Sequence, residues 1–169
     1  MRIYLNAVDD KLYVEYILNL LDFYFNKKAK TYNEKGKGLT IKFHSKEIAN
    51  LINNYLDIYP KKTYNVKIKI PLKDLSLDFK KYFVRGIVDT DGHCTKNGII
   101  ILSLTSKNMI WQVSQILIEL GIDHETYLVK KNPPEKLQYR LTIPRRYIYD
   151  YIKKIGFSNK RKEYAPAGI

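Results

Sequence analysis

The stretch Val84-Arg85-Gly86-Ile87-Val88-Asp89-Thr90-Asp91-Gly92 decides how the rest of this sequence is read. It closes a helix predicted from about Asp78 to Val88. Phe79, Phe83, Gly86, Ile87 and Thr90 share one face of it. The Asp91-Gly92 dipeptide stops the helix. Two carboxylates at a helix C-terminus face the negative end of its dipole, at a cost of up to about 1 kcal/mol each. A cation is expected to offset that cost, and a divalent metal ion is the economical candidate. An EF-hand loop is excluded, because Ile87 and Gly98 stand where its first and last acids belong. The plain alternative is an Asp-Gly turn into a hairpin. Gly86 inside a helix costs about 1 kcal/mol against Ala, and with Thr90 four residues later it makes a small-xxx-small face. Two such helices packed backbone to backbone would set their terminal carboxylates side by side. That is a site built by symmetry for one or two Mg²⁺ ions and a scissile phosphate.

The 169-residue chain as a whole bounds the chemistry. Thirty Lys+Arg against seventeen Asp+Glu leave a net charge of +13, which favours a polyanionic partner, nucleic acid before an anionic membrane. One cysteine excludes a disulfide framework and a Cys-rich zinc site. No apolar run reaches the roughly 18 residues of a membrane span, and no secretory h-region precedes the acids at Asp9-Asp10. A cytoplasmic protein without a membrane or small-molecule partner is expected. Fifteen tyrosines among the basic residues suit nucleic acid, although each also suits a half-buried position.

Outward from the motif, the chain reads as one pattern twice. A strand at Ile3–Leu5 leads to a helix opened by Asp9-Asp10, with Leu12, Tyr16, Leu20 and Phe23 as its apolar stripe. Lys28 to Tyr32 and Leu39 to Phe43 alternate as strands around Gly36-Lys37-Gly38, and Ser45 caps a second helix. In the second half, Ile99 to Thr105 is strand, Ser106 caps a helix, and Gly121 ends it. His124 to Lys130 and Leu137 to Ile143 form a hairpin, followed by a helix from Pro144 to Ile155. Laying Ile3-Tyr4-Leu5 over Ile100-Ile101-Leu102 puts Asp10 on Lys107. Past the hairpin loop, Ile41, Phe43, Ile48 and Ile52 fall on Leu141, Ile143, Ile148 and Ile152. The organisation expected is a first repeat at 1–58, a polar connector at 59–77, a complete second repeat at 78–157 and a basic tail at 158–169. The first repeat has no counterpart of the motif helix.

The nine residues 84–92 resemble the LAGLIDADG motif of homing endonucleases. Ile70-Pro71 and Phe79-Lys80-Lys81-Tyr82-Phe83 are similar to the lead-in of the second motif in two-repeat members. The resemblance implies an α+β fold of αββαββα units with saddle-shaped antiparallel sheets, the first unit truncated at its N-terminal helix. It implies site-specific cleavage of double-stranded DNA with Mg²⁺ or another divalent cation. Asp91 then matches the metal-binding catalytic carboxylate, and Thr90 a small interfacial residue whose carbonyl also reaches metal. Asp89 matches a less direct acid. Lys107 matches an active-site lysine at a helix start, where it stabilises charge near the phosphate. Ile155-Gly156-Phe157 with Lys160 and Lys162 is similar to the family's closing segment, which contacts phosphate or packs. One motif helix supplies one Asp91. Paired acids therefore require a homodimer through Phe79, Phe83, Gly86, Ile87 and Thr90. The alternative is a non-cleaving DNA- or RNA-binding protein, a maturase, regulator or remnant on the same scaffold.

Strand alternation nominates the DNA-facing residues. Leu39, Ile41 and Phe43 point inward, leaving Thr40 and Lys42 outward, with Lys28, Lys30 and Tyr32 on the neighbouring strand. Leu137, Tyr139, Leu141 and Ile143 point inward, leaving Gln138, Arg140 and Thr142. Gln138 suits adenine and Arg140 guanine, at about 1–3 kcal/mol of discrimination each. Lys96, Lys130 and Lys131 fall in turns, suited to phosphates.

Overall fold

The computed structural model describes residues 2–58, 62–129 and 137–163. The chain divides into two compact units, residues 1–54 with 158–161, and residues 55–157 with 162–169.

In the first unit, β1 (Arg2–Asn6), β3 (Gly38–Lys42) and β2 (Lys30–Asn33) form an antiparallel sheet in the order β1-β3-β2. The helices are α1 (Lys11–Phe25) and α2 (Lys46–Tyr55). Their core joins Tyr13, Val14, Ile17 and Leu21 of α1 to Ile41, Phe43 and Ile48. This corrects the expected stripe: Leu12 and Phe23 are 63 % and 81 % exposed, and Tyr16 is exposed too. The sequence of α1 is apolar on more than one side, so periodicity alone selects no face. Packing against Ile41 and Phe43 does. Lys28 precedes β2, whose four residues are all exposed. Asp10 is buried, accepting from the Asn6 amide (3.0 Å), the Asn159 side chain (3.0 Å) and Arg161 Nε (3.2 Å).

The second unit begins with a two-stranded ladder of β4 (Leu56–Asp57) and β5 (Lys67–Ile68), separated by the short helix α3 (Lys62–Asn65). This stretch, expected as a connector, is packed. Ile68 and Leu75 are core residues, and the Gln112 amide exchanges hydrogen bonds with the Ile68 backbone N–H (2.7 Å) and carbonyl (2.9 Å). Then come α4 (Leu77–Asp91), β6 (Gly92–Cys94), β7 (Ile100–Leu104), α5 (Lys107–Glu119), β8 (Glu125–Val129), β9 (Gln138–Ile143) and α6 (Ile148–Lys154). The antiparallel sheet runs β6-β7-β9-β8. Ser76 and Ser106 cap α4 and α5, accepting from Phe79 N and Met109 N. Gly121 follows α5 at φ +65°, the left-handed stop its residue type announced. Val84 and Val88, Leu102, Leu141, Val113, Ile116 and Tyr151 fill the core between sheet and helices. Leu137, expected inward, is 43 % exposed, because β9 starts one residue later; Leu141 and Ile143 are core residues and Tyr139 is half-buried against them.

The repeat is visible as β1-α1-β2-β3-α2 against β7-α5-β8-β9-α6. Only the second unit adds α4 and β6. Among the described residues, β1 has no strand on the side that β6 occupies beside β7.

Candidate functional site

The helix α4 runs without a break through Asp91, and Gly92 is already the first residue of β6. Gly92 is demanded by proximity. Its φ is −80°, open to any residue, but a Cβ there would lie 2.7 Å from the Val88 carbonyl oxygen. The sharp exit from helix to strand leaves Asp91 exposed at the helix end, whereas Asp89, two residues earlier, is only 2 % exposed. Asp89 acts inward on Tyr151. Burial first, and then the Asp89 charge, hold that phenol far above its ordinary pKa.

The cation at the helix end belongs to the chain itself. Lys162 is buried, and its ammonium donates to the carbonyls of Gly92 (2.6 Å), Thr90 (2.9 Å) and Val88 (3.2 Å). The dipole argument that pointed to a metal is thus met by a lysine 70 residues downstream of Gly92. The Thr90 carbonyl, expected at a metal, accepts instead from Lys162, and the Thr90 hydroxyl donates back to Gly86 O (3.0 Å). No group of three acidic, His or Cys side chains able to hold a metal occurs among the described residues. The exposed Asp91 offers one carboxylate, and Mg²⁺ is commonly held through one or two carboxylates together with waters and substrate phosphates.

The expected interface face of α4 is split. Phe79 and Phe83 are half-buried, Phe79 stacking on Tyr55 (5.0 Å between centroids) and on Phe83 (5.9 Å). Ile87 is half-buried as well, whereas Gly86 and Thr90 are exposed. A Cβ at Gly86 would meet nothing within 4 Å. Tyr82, one turn before Gly86 and 64 % exposed, extends this open line. Sequence reasoning passed over it for its neighbouring phenylalanines. Arg85 lies 5.1 Å from the Tyr82 ring centroid and donates through Nε to the Ile155 carbonyl (2.6 Å). Lys107 is exposed at the first position of α5.

Cross-strand register places the remaining candidates in each unit. In the first, Arg2, Lys42 and Lys30 form one row of the outer face, and Tyr4, Thr40 and Tyr32 the next. Thr40 lies on that face but is 4 % exposed, and its hydroxyl donates to Glu34 Oε1 (2.8 Å). It is the floor between two tyrosines and is not available to a base, which corrects its expected role. In the second, Ser103, Arg140 and Tyr127 form one outer row, and His93, Ile101, Thr142 and Glu125 another. Gln138 pairs with Val129. Arg140 Nε donates to Ser103 Oγ (3.0 Å) and its guanidinium lies 5.8 Å from the Tyr127 ring centroid. Thr142 and Arg140 hold the Tyr127 phenol below its ordinary pKa. Tyr127 and Ser103 were missed because each strand was read alone. Their role appears only once β7, β9 and β8 are in register. Lys96 is exposed in the β6–β7 turn, while Lys130 and Lys131 lie outside the described residues.

A duplicated α+β unit, with antiparallel sheets and a helix that ends in an acid, defines the class. Residues 78–156 match the model of the LAGLIDADG-like domain, and the fold is that of LAGLIDADG proteins. Its fold is similar to that of mesophilic variants of the homing endonuclease I-DmoI (TM-score 0.69, 15 % identity, 92 % of this chain and 79 % of that one). It is also similar to I-DmoI in complex with DNA and Mn (0.66, 18 %, 93 % and 81 %). The N-terminal LAGLIDADG domain of DUF199/WhiA is similar too (0.57, 15 %, 96 % and 75 %). In sequence, the chain is 34 % identical over 122 residues to the probable translation initiation factor IF-2 of Methanocaldococcus jannaschii. The match covers 69 % of this chain and 10 % of that protein. No helix among the described residues is long and apolar enough to cross a membrane.

Proposed function

We propose that the chain is a site-specific DNA endonuclease of the LAGLIDADG type, active as a homodimer that pairs through α4. The observation that carries the proposal is the end of that helix. Gly86 and Thr90 are exposed along one line, and Asp91 is exposed at its terminus. Pairing two copies through this line brings two Asp91 carboxylates together. Asp91 binds a divalent ion, which supplies charge neutralisation at the scissile phosphate and a polarised water. Lys162 holds the terminal carbonyls of α4 and so fixes where Asp91 projects. Lys107 stabilises phosphate charge from the start of α5. Arg140, pre-oriented by Ser103 and Tyr127, and Gln138 read base edges, while Lys30, Lys42 and Lys96 contact phosphates. The structures of I-DmoI in complex with DNA, with Mg, Mn or Ca present, support duplex DNA and a divalent ion as partners.

The test is a supercoiled plasmid carrying the chain's own flanking genomic junction, incubated with Mg²⁺. Wild type cuts it, and Asp91→Asn binds it equally or more tightly without cutting. A wild-type chain that binds such a site tightly and never cuts establishes the second reading, a non-cleaving nucleic-acid-binding protein. That reading is favoured by the engagement of the Thr90 carbonyl with Lys162.

A further inference from the structure

On the helical side of the second unit, a groove of about 690 Å³ lies between α5 and the segment 67–73. One of its lining residues, Trp111, also lines a smaller pocket with Lys107, Tyr127 and Tyr139. The helix α5 sends Ile110, Val113, Ile116 and Leu117 into the core against Leu102 and Leu141, the strand positions opposite to Arg140 and Ser103. The side of α5 that carries Trp111 and Ile118 therefore faces away from the core.

Two kinds of group line that surface. Lys67, Lys69 and Lys73 are exposed along one wall. On the other wall Trp111 is 59 % exposed and Ile118 is 60 % exposed. Large apolar side chains left in water beside a row of cations are not explained by the core. The acid in the lining, Glu119, is already engaged by the buried ammonium of Lys80 at 2.7 and 2.8 Å, so it does not cancel the lysines. Lys67 reaches Asp57 at 4.0 Å, an exposed pair that a phosphate displaces readily. The wall is rigid, because the Gln112 amide holds both backbone groups of Ile68 and the Ile68 side chain is in the core.

We propose that this groove binds single-stranded nucleic acid, with a base stacked on Trp111 and the phosphates tracked by Lys67, Lys69 and Lys73. An aromatic face beside a basic track is the arrangement such strands use, since every base offers a π-face and the backbone offers the charge. An acidic peptide would answer the lysines but leaves the indole without a matched ligand. The proposal does not depend on cleavage or on pairing through α4.

Trp111 is the chain's sole tryptophan, so its fluorescence reports on the groove directly. The probes are a twelve-residue oligo(U), a hairpin duplex without single-stranded ends, and oligoglutamate. Oligo(U) is expected to quench Trp111, with affinity falling by about 0.7 log units per log of salt for each phosphate neutralised. The Lys67→Gln/Lys69→Gln/Lys73→Gln variant should flatten that slope by about two units. Trp111→Leu, followed by anisotropy of labelled oligo(U), should weaken binding roughly 5- to 150-fold, the range of one base stack. Circular dichroism confirms that both variants fold. Oligo(U) binding with no change in Trp111 fluorescence, or with affinity unaltered in both variants, overturns the proposal. So does quenching by the duplex alone, and so does oligoglutamate binding as tightly as oligo(U), which would assign the groove to an acidic peptide.

Discussion

Lys162→Met removes the ammonium from the end of α4 while keeping an apolar side chain of similar reach. Three carbonyls lose a charged donor at 2.6, 2.9 and 3.2 Å. Val88 O still accepts from the Gly92 N–H, so its loss is small. Thr90 O and Gly92 O each lose a charge-assisted bond of about 1.5–3 kcal/mol. Relief from burying an ammonium returns part of that. The net cost is about 2–4 kcal/mol, a large share of the 5–15 kcal/mol typical of a whole domain. Urea unfolding followed by Trp111 fluorescence reads the second unit, because α5 lies in it. The midpoint should fall by about 1–2 M with an unchanged slope. Lys153→Met, an exposed lysine on α6, serves as the control. If the two variants unfold at the same urea concentration, Lys162 is not the cation that stabilises this helix end.

Gly86→Leu should separate folding from association. With nothing within 4 Å of the new Cβ, the monomer gains up to about 0.8 kcal/mol of helix propensity, while sedimentation shows the dimer lost. A dimer that survives removes α4 from the interface. Tyr151→Phe should leave the second unit equally or more stable near neutral pH, since its hydroxyl has no hydrogen-bond partner among the described residues. Burial raises the Tyr151 pKa in the folded chain, so its linked stability is complete below the unfolded value of about 10 and is lost as pH rises above it. Denaturant midpoints of wild type and Tyr151→Phe should therefore diverge only in that alkaline range, with wild type falling faster. Asp10→Ala should cost the first unit about 2–4 kcal/mol, because it strips partners from Asn6, Asn159 and Arg161, and hydrogen exchange at Tyr13 and Val14 would show the loss.

The sequence by itself determined the repeat, the motif helix and the faces of β9. These rest on local rules. Ser76 and Ser106 accept from amides three residues ahead, Gly121 takes the left-handed turn, and alternation sends Leu141 and Ile143 inward and Arg140 outward. It also singled out Asp91, which the structure leaves exposed at the helix end, because an acid at a helix end beside a small-residue face is a pattern within nine residues. The tertiary structure decided what depends on partners distant in sequence. The α1 helix could have buried either stripe until Ile41 and Phe43 selected Tyr13, Val14, Ile17 and Leu21. Thr40 alternates outward, yet Tyr4 and Tyr32 flank it and Glu34 takes its hydroxyl. The cation that the helix dipole demanded was legible as a need, but its identity was not. Lys162 comes from the far end of the chain, and only the folded backbone brings it to the carbonyls of Thr90 and Gly92.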